Sequence, residues 1–165
     1  MVVSCQPGGP AAPAASTTAE VLVLCVGNLL VGDEGVGVHA FRVLEKETWP
    51  PHVRLVDGGT GGFHLLGLLC GHPRVILIDA TRDGLPPGTV AQFRARVAAD
   101  FPTALGAHDI GLRDLITAAA LLGPLPEIDV ITVSVAELKP MTMDLSAPVA
   151  AALPEVSRRV RALVG

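Results

Sequence analysis

Val21-Leu22-Val23-Leu24-Cys25-Val26, closed by Gly27-Asn28, is an unbroken apolar run of strand length. A strand with one wet face would alternate apolar and polar residues; this one does not, so it reads as a central strand covered on both faces. The glycine-rich turn Gly27-Asn28-Leu29-Leu30-Val31-Gly32-Asp33-Glu34-Gly35 follows, and then Val36, Ala40, Val43 and Leu44 recur at helical spacing. That helix is predicted to reach Thr48, where Pro50-Pro51 closes it.

The same alternation continues along the chain. Val53-Arg54-Leu55-Val56-Asp57 reads as a second strand, Gly58-Gly59-Thr60-Gly61-Gly62 as a tight turn and Phe63 to Cys70 as a second helix. Val75-Ile76-Leu77-Ile78-Asp79-Ala80 is a third strand, again apolar and again ending on a carboxylate. Thr89 to Arg94 alternates in polarity like an edge strand. A third helix is predicted from His108 or Asp109 to Leu122, a fifth strand from Ile128 to Val135 and a last helix from Pro148 to Val164, with Pro154 kinking or restarting it. Buried strands alternating with helices define an α/β fold: one three-layer domain with a mostly parallel, mixed five-stranded sheet and helices on both faces. Residues 1–18, rich in Pro, Ala, Gly, Ser and Thr, read as a disordered extension before a domain at 19–165.

Composition narrows the function. Half of the residues are hydrophobic, but with four Phe, one Trp and no Tyr the core must be aliphatic. The longest apolar stretches, Val21 to Gly32 and Leu115 to Pro126, fall short of the about 20 residues that cross a bilayer. The first basic residue is Arg42, so the charged start of a targeting peptide is missing and a cytoplasmic, membrane-free protein is expected. A net charge of −4 with scattered basic residues speaks against a nucleic-acid partner. Cys5, Cys25 and Cys70 form no CxxC pair and read as unpaired thiols.

Ligands of open α/β sheets bind at the carboxyl ends of the strands, near the switch in strand order. The loops there carry Asp33-Glu34, Asp57 and Asp79. Asp79 ends an aliphatic run and will be desolvated unless a cation or donor faces it, although a turn cap is the alternative. Glu34 opens a helix, whose positive end favours an acid, either as a cap or as a ligand; Asp33 could be that cap. Asp57, before a run of glycines, suits an Asx turn and a supporting role. Of five histidines, His108 in Gly106-Ala107-His108-Asp109-Ile110-Gly111-Leu112 has small neighbours and opens a helix after an irregular connection, as a capping residue or a ligand. One imidazole and two carboxylates would form an open site for Zn, Ni, Fe or Mn.

The segments Gly27 to Gly37, Asp57-Gly58-Gly59-Thr60, Ile78-Asp79-Ala80 and His108-Asp109-Ile110-Gly111-Leu112, in this order, resemble the motifs of the hydrogenase maturation protease family. The resemblance runs from Val21 to Leu163. It implies an endopeptidase that removes the C-terminal extension of a nickel-iron hydrogenase large-subunit precursor once nickel is inserted. Glu34, Asp79 and His108 would then be the catalytic, metal-contacting residues, with Asp33 and Asp57 supporting them. The nickel would come with the substrate, and no organic cofactor is implied. Catalysis would be of the aspartic type, with Asp79 or Glu34 as general base, or metal-dependent.

Two other readings share some of these features. A dinucleotide-binding oxidoreductase would use the same strand, glycine turn and helix, with Asp57 on the ribose, but Gly27 to Gly37 contains no GxGxxG and places acids where a pyrophosphate belongs. A non-catalytic nickel accessory protein would use the same three residues only to hold metal.

Overall fold

The computed structural model describes residues 19–100 and 112–165, so the N-terminal extension and His108 lie outside the described residues. The elements run β1 (Val21–Val26), a 3-10 turn (Gly32–Gly35), α1 (Val36–Leu44), β2 (Val53–Gly59), α2 (His64–Cys70), β3 (Arg74–Thr81), β4 (Val90–Ala95), α3 (Leu112–Leu122), β5 (Glu127–Ser134) and α4 (Ala147–Val164). They form a five-stranded sheet in the order β2-β1-β3-β5-β4. All pairs are parallel except β4 with β5. The predicted α/β architecture is therefore the one observed.

Side-chain parity sorts the core into two layers. Val21, Val23 and Cys25 of β1 pack with Ile76, Ile78 and Ala80 of β3 against α1 and α4. Leu22, Leu24 and Val26 pack with Val75 and Leu77 against α2 and α3. Every residue of β1 is buried, which is why its sequence shows no alternation. The chain moves from β1 to β2 on one side and returns to β3 on the other, so the switch in strand order lies beside β1.

Several boundaries differ from the sequence reading. β3 extends one residue beyond each end of the predicted Val75–Ala80, to Arg74 and Thr81, because these pair with Glu127 and Ser134 of β5. β2 is an edge strand as well as β4. α1 ends at Leu44 rather than Thr48, where the Trp49 indole N–H donates to the Leu44 carbonyl at 2.7 Å. There Glu47 accepts hydrogen bonds from Ser157 and Arg161 of α4, fastening the two helices together. α4 runs unbroken through Pro154, its buried side of Val149, Ala152, Val156 and Val160 holding it to the sheet. Cys25 is a buried free thiol, while Cys70 is disulfide-bonded, which corrects the expectation of unpaired thiols throughout.

A buried charge also marks the opposite, amino edge of the sheet. Asp129 of β5 accepts hydrogen bonds from Arg74 and Arg94. Burial pushes its carboxyl up, but the bonds from Arg94 and Arg74 outweigh that and hold it below the usual range. This cluster ties β3, β4 and β5 together away from the acids at the carboxyl edge.

The contact between α1 and β1 sets where the first loop lies. A Cβ on Gly37 would sit 1.9 Å from the Val26 carbonyl oxygen, which is backbone and cannot yield. Only glycine lets the helix rest this closely on the strand. Gly37→Ala is predicted to cost about 3 kcal/mol, at the upper end for overpacking. Urea unfolding of the full chain measures this; a variant as stable as the parent would show that α1 can lift from β1 without cost.

Candidate active site

The turn after β1 is built to hold one peptide rigidly. The Asn28 side chain accepts the Leu30 N–H at 3.0 Å, the Asn28 N–H donates to the Glu34 carbonyl at 3.1 Å, and the Glu34 N–H donates to the Val31 carbonyl at 3.2 Å. Gly27 also donates to the Gly59 carbonyl at 2.7 Å, linking this turn to the end of β2. A Cβ on Gly27 would lie 2.5 Å from the Glu34 carbonyl oxygen, so the turn closes on itself as tightly as glycine permits. The Glu34 side chain is buried as a result.

Asp79 is fully buried, on the parity that faces α2 and α3. Its Oδ1 accepts the Ala80 N–H at 2.8 Å, whereas its Oδ2 is buried without a hydrogen-bond partner. Burial first, and then the negative charge of Glu34, push its carboxyl well above the ordinary range, with the Ala80 amide partly opposing them. That coupling places the two carboxylates within electrostatic reach of each other at the carboxyl edge of the sheet. A buried, unpartnered oxygen beside a second acid is the arrangement a cation or a shared proton satisfies.

The other predicted residues separate from this pair. Asp33 turns the opposite way: its two oxygens accept the Ser146 N–H and the Ser146 hydroxyl, each at 2.7 Å. Ser146 is the N-cap of α4, so Asp33 caps that helix and not α1, and its charge meets the positive end of an 18-residue helix. It anchors the turn that carries Glu34. Asp57 is exposed and accepts the Gly59 N–H at 2.9 Å, forming the expected Asx turn. His39 bonds the Met143 carbonyl and His72 the Leu68 carbonyl. Burial pushes the Cys25 thiol far up, which excludes it as a nucleophile at neutral pH.

Sequence reasoning passed over a set of hydroxyls around Asp79. Thr132 of β5 pairs with Asp79, and Ser134 pairs with Thr81, all of them buried. Ser134 donates to Asp83 at 3.0 Å, and the Thr81 hydroxyl has no partner. The available signal was the two-residue spacing of Thr132 and Ser134 at the end of an otherwise apolar run, which puts them on Asp79's side of the sheet. Among the described residues no group of three or more His, Cys, Asp and Glu side chains is arranged to hold a metal.

The hydrogenase maturation protease family model matches residues 38–162. The chain is 41% identical over 112 residues to the hydrogenase expression/formation protein HupD of Rhodobacter capsulatus, covering 64% of this chain and 52% of that protein. It thus spans about half the length of that relative. It is 36% identical over 110 residues to the hydrogenase 2 maturation protease of Escherichia coli, covering 65% of this chain and 67% of that one. The solved structure of the hydrogenase maturating endopeptidase HybD from E. coli superposes with a TM-score of 0.79 at 32% identity, over 87% of this chain and 91% of that one. This chain belongs to the hydrogenase maturation protease family.

Asp79→Asn removes the cost of burying an ionisable carboxyl near Glu34. It is predicted to stabilise the metal-free chain by about 1 kcal/mol at neutral pH, because a carboxyl whose burial raises its proton affinity opposes folding at a pH above its unfolded value. Denaturant unfolding of both proteins measures this; a clear loss of stability would mean that Asp79 is fully compensated in the folded chain.

Proposed function

We propose that this chain is an endopeptidase that removes the C-terminal extension of a nickel-loaded precursor of a hydrogenase large subunit. Glu34, Asp79 and His108 would contact the nickel that the precursor brings. The observation that carries this reading is the buried, unpartnered Oδ2 of Asp79 beside Glu34, in a chain of the maturation protease family. An orphaned carboxylate oxygen fits a cation, and two oxygens with an imidazole nitrogen form a borderline donor set that suits nickel while leaving positions open. Leu112, four positions beyond His108, begins the helix that packs on Asp79's side of the sheet.

In this reading the precursor's nickel supplies a docking point and positive charge near the scissile carbonyl. The chain's residues do the rest. The Ala80 amide fixes one oxygen of Asp79 and so aims the other into the site. A carboxyl whose proton affinity is raised by burial and by a neighbouring acid is suited to take a proton from water as it attacks the carbonyl carbon. As the carbon–nitrogen bond breaks, that proton passes to the leaving amine. Glu34 and His108 hold the precursor in register. Asp33 and Asp57 act at a distance, by fixing the first and second loops.

A dinucleotide does not suit this turn, since Glu34 and Asp33 place two buried acids where a pyrophosphate would lie. No helix among the described residues is long and apolar enough to cross a membrane. We place the protein in the cytoplasm, where an unfinished precursor would meet it.

Incubation of the purified chain with nickel-loaded precursor, followed by mass spectrometry, tests the activity. The precursor is expected to shorten at its C-terminus, and Glu34→Ala, Asp79→Ala or His108→Ala each to lower the rate at least about a hundredfold, the scale of losing a general base. Intact precursor together with tight nickel binding by the chain alone would favour an accessory role instead. Normal processing by Asp79→Ala would remove Asp79 from the chemistry.

A further inference from the structure

Asp79 is not alone in holding a buried oxygen without a hydrogen bond. Two positions further along β3, the Thr81 Oγ1 is buried and likewise unpartnered. Successive side chains of a strand point to opposite faces, so Asp79 and Thr81 share one face, the one that α2 and α3 cover. At two residues of strand rise their Cα atoms stand roughly 6.6–6.8 Å apart.

The surroundings of this pair do not relieve it. Toward the amino end the same face is aliphatic, with Val75 and Leu77 on β3 and Val130 on β5. The change from apolar to polar falls between Leu77 and Asp79. Thr81 is paired with Ser134 of β5, whose hydroxyl turns away to donate to Asp83 at 3.0 Å. Thr132, the partner of Asp79 on β5, is buried and closes that side. The Thr81 carbonyl accepts the Val135 N–H at 2.9 Å, so the end of the strand is fixed as firmly as its middle. Neither oxygen can reach solvent by bending β3.

Two buried oxygens that share a face and lack partners are what a bound water satisfies. With hydrogen bonds of about 2.8 Å to each, one water spans roughly 5.5 Å between oxygens, a gap within reach of these two side chains. The chemistry of the pair favours water over a cation. A hydroxyl can donate a proton where a second carboxylate could not, and it therefore suits a ligand that carries lone pairs.

We propose that Asp79 and Thr81 together hold the water consumed in peptide hydrolysis, with Thr81 as its positioning residue. The inference rests on the endopeptidase reading and adds where the attacking water waits. The Thr81 O–H donates to the water oxygen, and the water donates one O–H to Asp79 Oδ2. One lone pair is left for the scissile carbonyl carbon. As the oxygen–carbon bond forms, the proton of that O–H passes to Asp79, and it moves to the leaving nitrogen when the carbon–nitrogen bond breaks. The other water proton stays with the new carboxyl group, and Thr81 keeps its own. A water gripped by two residues of one rigid strand meets the carbonyl in a fixed geometry.

Thr81→Val removes the hydroxyl and keeps the branched shape, whereas Thr81→Ser keeps the hydroxyl. With nickel-loaded precursor, Thr81→Val is expected to lower kcat about thirtyfold with KM within about twofold of the parent, and Thr81→Ser to stay within about threefold in kcat. Urea unfolding verifies that both variants fold; should Thr81→Val fail to, Thr81→Ala against Thr81→Ser makes the same comparison. Parent-like kcat without the hydroxyl, or equal losses in both variants, would overturn the proposal. A rise in KM alone would make Thr81 a substrate contact and overturn it equally. A crystal structure of the parent gives a readout independent of cleavage: an ordered water within about 3.2 Å of both Thr81 Oγ1 and Asp79 Oδ2 is expected, and its absence would overturn the site. That water in a parent that leaves the precursor intact would uphold the water site and refute the endopeptidase reading. Intact precursor without such a water would refute both.

Discussion

Asp79 lies in the interior of a parallel strand, one oxygen fixed by the amide of the next residue and the other buried without a hydrogen bond, with the charge of Glu34 close by. Burying an acid in this way opposes folding, and much of the surrounding structure serves to keep it there. β3 is paired along its length with β5, so Asp79 cannot swing out to solvent. Glu34 is held by a turn whose backbone bonds to itself, to the end of β2 and to the connection after β5. Asp33, the neighbour of Glu34, is tied in turn to the N-terminus of α4. The two acids therefore belong to separate parts of the chain that the sheet forces together.

This division of labour explains why adjacent acids have different roles. Asp33 and Glu34 are neighbours on a short 3-10 turn and so point to different sides. One accepts the N–H and hydroxyl of Ser146 at a helix end; the other is buried near the Asp79 carboxyl. In the proposed function, a cation delivered by the precursor would relieve the cost of burying the Asp79 carboxyl. Recognition can then depend on whether the partner carries its metal, which suits a step that must wait for metal insertion.

Much of this was legible in the sequence, for physical reasons specific to each element. β1 and β3 are covered on both faces, so their apolar runs announced themselves, and Asp79 stood out as an acid attached to one of them. Its full depth did not, because the pairing of β3 as far as Thr81 depends on β5, some fifty residues away in sequence. The role of Asp33 was equally hidden, since its partner Ser146 is separated from it by 113 positions. Asp57 was readable as an Asx turn because that bond is local. The end of α1 differs because after Leu44 the backbone turns by three-residue bonds, Lys46 to Val43 and Glu47 to Leu44, and the Trp49 indole shares the Leu44 carbonyl. His108 falls outside the described residues, and its place beside the acids rests on the family resemblance.

In the proposed function, Glu34 and Asp79 act together as a cation-seeking pair. Titration of the purified chain with Ni²⁺ by calorimetry addresses that claim most directly. A single weak site, lost in both Asp79→Asn and Glu34→Gln while the fold is retained, is the predicted result. Nickel binding that is unchanged by either substitution, or no binding at millimolar metal, would contradict it.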